Sequence, residues 1–124
     1  MSSDGSMRYV TIAGFGAPDV MQMATGPRPQ PGPGEILVRV SAAGINRPDV
    51  AQRQGQYPPP PGASQVMGLE VAGVVVGKGN AVTDFNVGDR VCGLANGGGY
   101  AEYCLLPAGQ ALAVPKGMDD VTAS

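Results

Sequence analysis

Glu35-Ile36-Leu37-Val38-Arg39-Val40-Ser41-Ala42-Ala43 is the stretch on which the fold class turns. Successive side chains of an extended chain point to opposite faces. Ile36, Val38 and Val40 therefore share one face, and Leu37, Arg39 and Ser41 the other, the mark of a half-buried strand. Working outward, Arg8 to Ala13 is rich in Val, Thr and Ile and closes on the Gly14-Phe15-Gly16 turn, so it reads as a second strand. Thr25 to Glu35 carries Pro27, Pro29, Pro31 and Pro33. Proline cannot donate to a ladder, and this segment reads as an extended connector.

Downstream, Pro48 to Gly55 reads as a short helix, with Pro48 in its first turn, Gly55 as its stop and Asn46 just ahead of it. Pro58 to Pro61 forms a stiff loop. Leu69 to Val76 is an apolar run bounded by glycines, consistent with a buried strand. Asp89 to Leu94, Tyr100 to Leu106 and Ala111 to Val114 supply three more short strands, and Gly97-Gly98-Gly99 turns between two of them. Six or so strands at roughly regular spacing predict a mainly β domain, a small barrel or folded sheet with one or two short helices. Asp119-Asp120 followed by Val, Thr, Ala and Ser reads as the opening turn of a further helix.

Composition narrows the function. The 124 residues suffice for one compact domain. The chain holds 20 glycines and 12 prolines, yet 43% of it is hydrophobic and clustered in those runs, which suits a turn-rich β domain better than a disordered chain. Eight basic residues against ten acidic ones leave a net charge of −2, and the basic residues are scattered singly. No stripe is available to neutralise a phosphate backbone, so nucleic acid is excluded as a partner. The apolar runs are too short for a membrane span, and no secretory signal is visible. Met1 to Ser6 reads as a polar leader ahead of the domain. Two cysteines, Cys92 and Cys104, make no disulfide framework, and a reducing cytoplasm is the expected compartment. Both lie inside expected strands and are read as buried, inert thiols.

Histidine is absent. Imidazole zinc sites, Ser-His-Asp triads and Cys-His nucleophiles are thereby ruled out, and a metal-free chain is expected. The glycine-rich segments fail as phosphate loops. Gly14-Phe15-Gly16 has Asp19 where a dinucleotide fingerprint needs its third glycine. Gly77-Lys78-Gly79 and Gly97 to Gly99 fail likewise, and Gly73 to Lys78 is one residue short of a P-loop. Glycines here are turn and bulge residues.

The order of segments says more than any one of them. Pro33-Gly34-Glu35 through Asn46-Arg47-Pro48-Asp49 is followed by Gln52-Arg53-Gln54-Gly55-Gln56-Tyr57, then Met67-Gly68-Leu69-Glu70-Val71-Ala72-Gly73, Asn86-Val87-Gly88-Asp89-Arg90-Val91, and Gly98-Gly99-Tyr100-Ala101-Glu102-Tyr103. This series resembles the N-terminal half of the medium-chain dehydrogenase/reductase superfamily, from Met7 to the last residue. Within it the chain looks like the zinc-free, zeta-crystallin-like quinone oxidoreductases. Asn46 to Gly62 is especially similar to the branch whose vertebrate member is induced by the tumour-suppressor transcription factor. Zinc alcohol dehydrogenases carry a cysteine ligand at the Asn46 position and a histidine ligand at the Leu69 position, and their structural zinc lobe has no counterpart between Leu94 and Tyr100.

The resemblance implies a GroES-like, partly open β-barrel over residues 7–118, with 119–124 leading to a Rossmann domain. It implies hydride transfer from NADPH, or NADH, to a quinone or another small conjugated carbonyl, with the cofactor held mainly by that second domain and with the complete enzyme a homodimer. Asn46 and Tyr57 are the implied catalytic and cofactor-binding residues. Asn46 could hydrogen-bond the cofactor or acceptor oxygen, or simply cap the helix. Tyr57 could orient the cofactor or donate a proton to the reduced product, or simply pack on the prolines. Ala51 stands where some relatives have a tyrosine. Arg53 and Gln54 read as a solvated face, and Tyr100 and Tyr103 as packing residues. Two other functions remain open: a stand-alone GroES-like binding module, and a zinc-free reductase of enoyl thioesters.

Overall fold

A computed structural model describes residues 5–59, 61 and 63–124. The expected leader falls mostly outside this range, and its last residue, Ser6, already belongs to the first strand. The proline loop is described only in part, since Pro60 lies outside the described residues, as does Gly62.

Seven strands and two short α-helices form among the described residues: β1 (Ser6–Ile12), β2 (Met21–Pro27), β3 (Glu35–Gly44), α1 (Arg47–Arg53), β4 (Glu70–Lys78), β5 (Arg90–Leu94), β6 (Tyr103–Pro107), β7 (Ala111–Ala113) and α2 (Asp120–Ala123). β1 and β2 make an antiparallel two-stranded ribbon. The remaining five strands form one antiparallel sheet in the order β6-β3-β4-β5-β7. The fold is mainly β and its sheets do not close, which matches a partly open GroES-like barrel.

The deciding stretch becomes β3, paired on one side to β4 and on the other to β6. Ile36 and Val38 are fully buried and Arg39 and Ser41 exposed, so the alternation reads the core correctly. Their partners are Val71 and Val75 of β4, Val91 of β5, and Cys104 and Leu106 of β6, with Val82 and Ala95 from connecting loops. Small β-branched residues fill the space that aromatic side chains fill in many domains.

Two register shifts bend β3 against β4, between Leu37 and Val38 and between Val40 and Ala42. Gly77 and Gly73 stand opposite these shifts, so the expectation of bulge glycines holds here.

Three elements differ from expectation. β2 was not expected, because Met-Gln-Met-Ala-Thr shows no β-branched cluster. Pairing with β1, from Ser6↔Pro27 to Ile12↔Met21, makes it a strand. The strand expected from Tyr100 begins only at Tyr103. Residues 100–102 instead join the ribbon to the sheet: the Val10 N–H donates to the Tyr100 carbonyl, the Glu102 N–H to Arg8, and the Val40 N–H to the Glu102 carbonyl. The Glu102 carboxylate also accepts from the Arg8 backbone N–H at 2.7 Å. Finally, Cys104 is buried but Cys92 only partly so.

Burial, with the charge of Glu35 as the lesser cause, pushes the Cys104 thiol up to about 12. A thiol is neutral when protonated, so a pKa raised by folding stabilises the native state fully below the unfolded value. That contribution is then lost as the pH climbs toward 12. Urea midpoints are expected to fall between pH 9 and 10, and to fall less steeply in Cys104→Ala. An equal slope in the variant would assign the alkaline loss to other groups.

Candidate functional site

α1 holds seven residues, too few to persist alone in water, so its position depends on what pins its ends. At the N-terminal end the Asn46 backbone N–H donates to Asp49 Oδ2 at 2.9 Å, one half of a capping box. The Asn46 side-chain amide donates to Glu70 Oε2 at 3.0 Å, which ties the helix start to the first residue of β4. Asn46 is thus the N-cap residue, as one of its two readings has it, and its amide nitrogen is oriented by a carboxylate.

At the C-terminal end Gly55 stops the helix with a φ of +81°, in the left-handed region that favours glycine. A Cβ there would lie 2.8 Å from Cγ of Phe15, so the Phe15 ring packs directly over the turn. Arg53 is not part of a solvated face. Its Nε donates to the Gly16 carbonyl at 2.9 Å, and the Gly16 N–H returns a bond to the Arg53 carbonyl. The Gly14-Phe15-Gly16 turn is thereby fastened to the helix. Gln54 is exposed, as expected.

Tyr57 follows three residues beyond Gln54, the C-cap of α1. It is 41% exposed, and its hydroxyl makes no hydrogen bond among the described residues. It lines an open cleft of about 680 Å³ together with Phe15, Gln52, Pro58, Pro59 and Val66. Asn46 and Tyr57 are not brought into contact: they flank opposite ends of a helix about 10 Å long at 1.5 Å per residue. Any ligand that both touch must run along α1. Ala51, partly buried, stands on the helix between them.

Sequence reasoning missed Asp49 and Tyr100. Asp49 is only 2% exposed, and its Oδ2 accepts a hydrogen bond from the Tyr100 hydroxyl at 2.7 Å, joining α1 to the segment before β6. Burial first, then the bond to Asp49 and its charge, hold the Tyr100 hydroxyl well above the ordinary tyrosine range, so it remains a donor. The other oxygen, Asp49 Oδ1, is buried without a partner among the described residues. The Asn46-to-Asp49 spacing is a capping-box signal, but the tyrosine lies 51 positions away, beyond any local pattern. Tyr103, by contrast, is buried packing, with the Arg28 guanidinium 4.2 Å from its ring centroid. Tyr100→Phe is expected to cost about 2 kcal/mol, since it strips a buried carboxyl of one of its two donors. Thermal denaturation of the variant checks this, and an unchanged midpoint would contradict it.

Among the described residues no cluster of three His, Cys, Asp or Glu side chains could hold a metal ion, and no helix is long and apolar enough to cross a membrane.

Comparison with known proteins adds the lineage. Residues 32–116 match the alcohol dehydrogenase GroES-like domain. The rat synaptic vesicle membrane protein VAT-1 homolog is 38% identical over 114 residues, covering 90% of this chain and 28% of that protein. A trans-enoyl reductase of Fusarium mangiferae is 42% identical over 92 residues, covering 74% and 24%. A mycobacterial quinone oxidoreductase superposes with a TM-score of 0.84 at 37% identity, covering 94% of this chain and 36% of that one. A mycobacterial protein solved in complex with NADPH gives 0.80 at 35%, covering 92% and 34%. The chain spans less than a third of the length of the curated relatives it matches here. Matched over most of its length by one domain family and superposing on oxidoreductases of one superfamily, the chain belongs to the alcohol dehydrogenase GroES-like domain family of the medium-chain dehydrogenases/reductases.

Proposed function

We propose that residues 7–118 are the substrate-side domain of a metal-independent, NADPH-dependent quinone oxidoreductase, whose cofactor is held mainly by a dinucleotide-binding domain that follows. The observation that carries this reading is Tyr57: a hydroxyl with no partner among the described residues, at the rim of a roomy, largely apolar cleft. The kinship with a quinone oxidoreductase supports the acceptor, and the NADPH complex of a related protein supports the cofactor.

The residues present fit only one end of a dinucleotide. Gly14-Phe15-Gly16 leads into a single 3₁₀ turn at Pro18–Val20, and Gly97 to Gly99 into a bridge at Ala101, so neither offers the helix N-terminus that binds a pyrophosphate. Asn46 and Tyr57, at the two ends of α1, suit the nicotinamide end and the acceptor beside it. When bound, the reduced nicotinamide supplies the hydride. The chain's own part is orientation and proton management. The Tyr57 O–H donates to the acceptor oxygen on which negative charge grows, then gives it a proton. Asn46, held by Glu70, presents its amide to the reactants, while Phe15, Pro58, Pro59 and Val66 exclude water. A cytoplasmic homodimer is the proposed setting, which two free thiols suit.

A second reading is favoured by the Fusarium relative: reduction of a 2-enoyl thioester at the same site. Steady-state assays of the complete protein with NADPH decide between them. Turnover of 1,4-benzoquinone with little or none of crotonyl thioester is expected, and the opposite order would install the enoyl reading. The 124-residue chain alone is expected to turn over neither. Substantial activity from it would overturn the division of labour between two domains.

A further inference from the structure

A second cleft, of about 630 Å³, lies on another side of α1 and uses neither Tyr57 nor the proline loop. Its walls include Met21 and Met23 of β2, Ile45 and Met67, and Asp49 and Tyr100 also line it. Apart from these two, Arg53 and Gln22, the lining side chains are apolar.

Asp49 is anomalous in such a place. It is 2% exposed, yet only Oδ2 is satisfied, by the Asn46 N–H and the Tyr100 O–H. Oδ1 is buried with no partner among the described residues. A buried carboxyl oxygen left unpaired costs free energy, and such groups in folded proteins are nearly always completed by a partner. A carboxylate oxygen can only accept, so the missing partner is a hydrogen-bond donor.

We propose that this cleft binds a neutral, apolar small molecule bearing one hydroxyl donor, a phenol or an alcohol, whose O–H completes Asp49 Oδ1. The wall chemistry sets the apolar body. The neutral head follows from Arg53, which also lines the cleft and sets a like charge against any ammonium. Oδ1 is closed from solvent, so the donor reaches it only as the lining re-packs, and three of the lining residues are methionines, unbranched side chains that adapt to irregular shapes. Tyr100 keeps Oδ2 engaged throughout and leaves Oδ1 for the ligand. The cleft is separate from the one that Tyr57 lines, although Asp49 also caps α1 at Asn46.

The test uses 4-methylphenol and 4-methylanisole, which share shape but differ in the donor. Each is titrated into the 124-residue chain, with amide and methionine methyl resonances followed by NMR. The expected result is perturbation at Met21, Met23, Met67 and Tyr100, with the phenol bound about fivefold tighter, the worth of one hydrogen bond. Asp49→Asn, which can turn a donor rather than an acceptor toward the cleft, is expected to erase that preference. Equal binding of the two probes to the native chain, no binding, or perturbation confined to Tyr57 and its neighbours would overturn the proposal. The native comparison stands even if the variant fails to fold.

Discussion

Gly73→Ala is expected to destabilise the domain by about 3 kcal/mol or to prevent its folding, because overpacking against a backbone that cannot yield has no cheap relief. Gly73 sits in the middle of β4, opposite Val40 and beside the bulge in β3. A Cβ there would overlap the carbonyl oxygen of Arg39 and come within 2.9 Å of Val38 Cγ1. Both neighbours belong to β3, and Val38 is fully buried, so relief would mean separating β3 from β4. Gly109→Ala provides the control, since nothing lies within 4 Å of a Cβ at that position. Urea denaturation should show a large loss for the first and almost none for the second. Equal midpoints would mean that the bulge relaxes easily.

Under the proposed function, Tyr57→Phe is expected to lower kcat for quinone reduction by the full-length protein about 100-fold, a usual contribution for a proton donor. The same change should leave folding untouched, because the hydroxyl makes no hydrogen bond among the described residues and the ring sits at an open cleft. Melting temperature and activity therefore separate. A rise in the NADPH KM with kcat preserved would make Tyr57 a cofactor-orienting residue instead. Unchanged kinetics would remove it from the site and return it to packing on the prolines.

How legible the fold was depended on how local its determinants are. β3, β4 and β5 could be read from alternation, apolar runs and flanking glycines, because burial of one face writes itself into adjacent residues. α1 was legible from Asn46, Pro48 and Gly55, each of which acts within one turn. β2 was not. Met21 to Pro27 has little strand propensity and gains its conformation from β1, whose partners lie 9 to 21 residues upstream. The start of β6 was misplaced for a related reason. Tyr100 to Glu102 has strand-like residues, but its backbone bonds are shared between β1 and β3.

The site divides the same way. Asn46 and Tyr57 could be singled out because chain order and family resemblance mark them, and Asn46's capping position follows from three neighbouring residues. Arg53 looked like solvent-facing surface, since nothing nearby in sequence needs a guanidinium. Its partner is the carbonyl of Gly16, 37 positions away.

By itself, then, the sequence determined a mainly β domain with a short capped helix, left no histidine for chemistry in this chain, and pointed to the family. Only the tertiary structure decided which groups meet: Asn46 with Glu70, Arg53 with Gly16, and Tyr100 with a buried Asp49 that keeps one oxygen unpaired. The physical reason is range. Periodicity, capping and turn chemistry act over a few residues, while a hydrogen bond across 24, 37 or 51 positions exists only once the sheet has brought its two ends together.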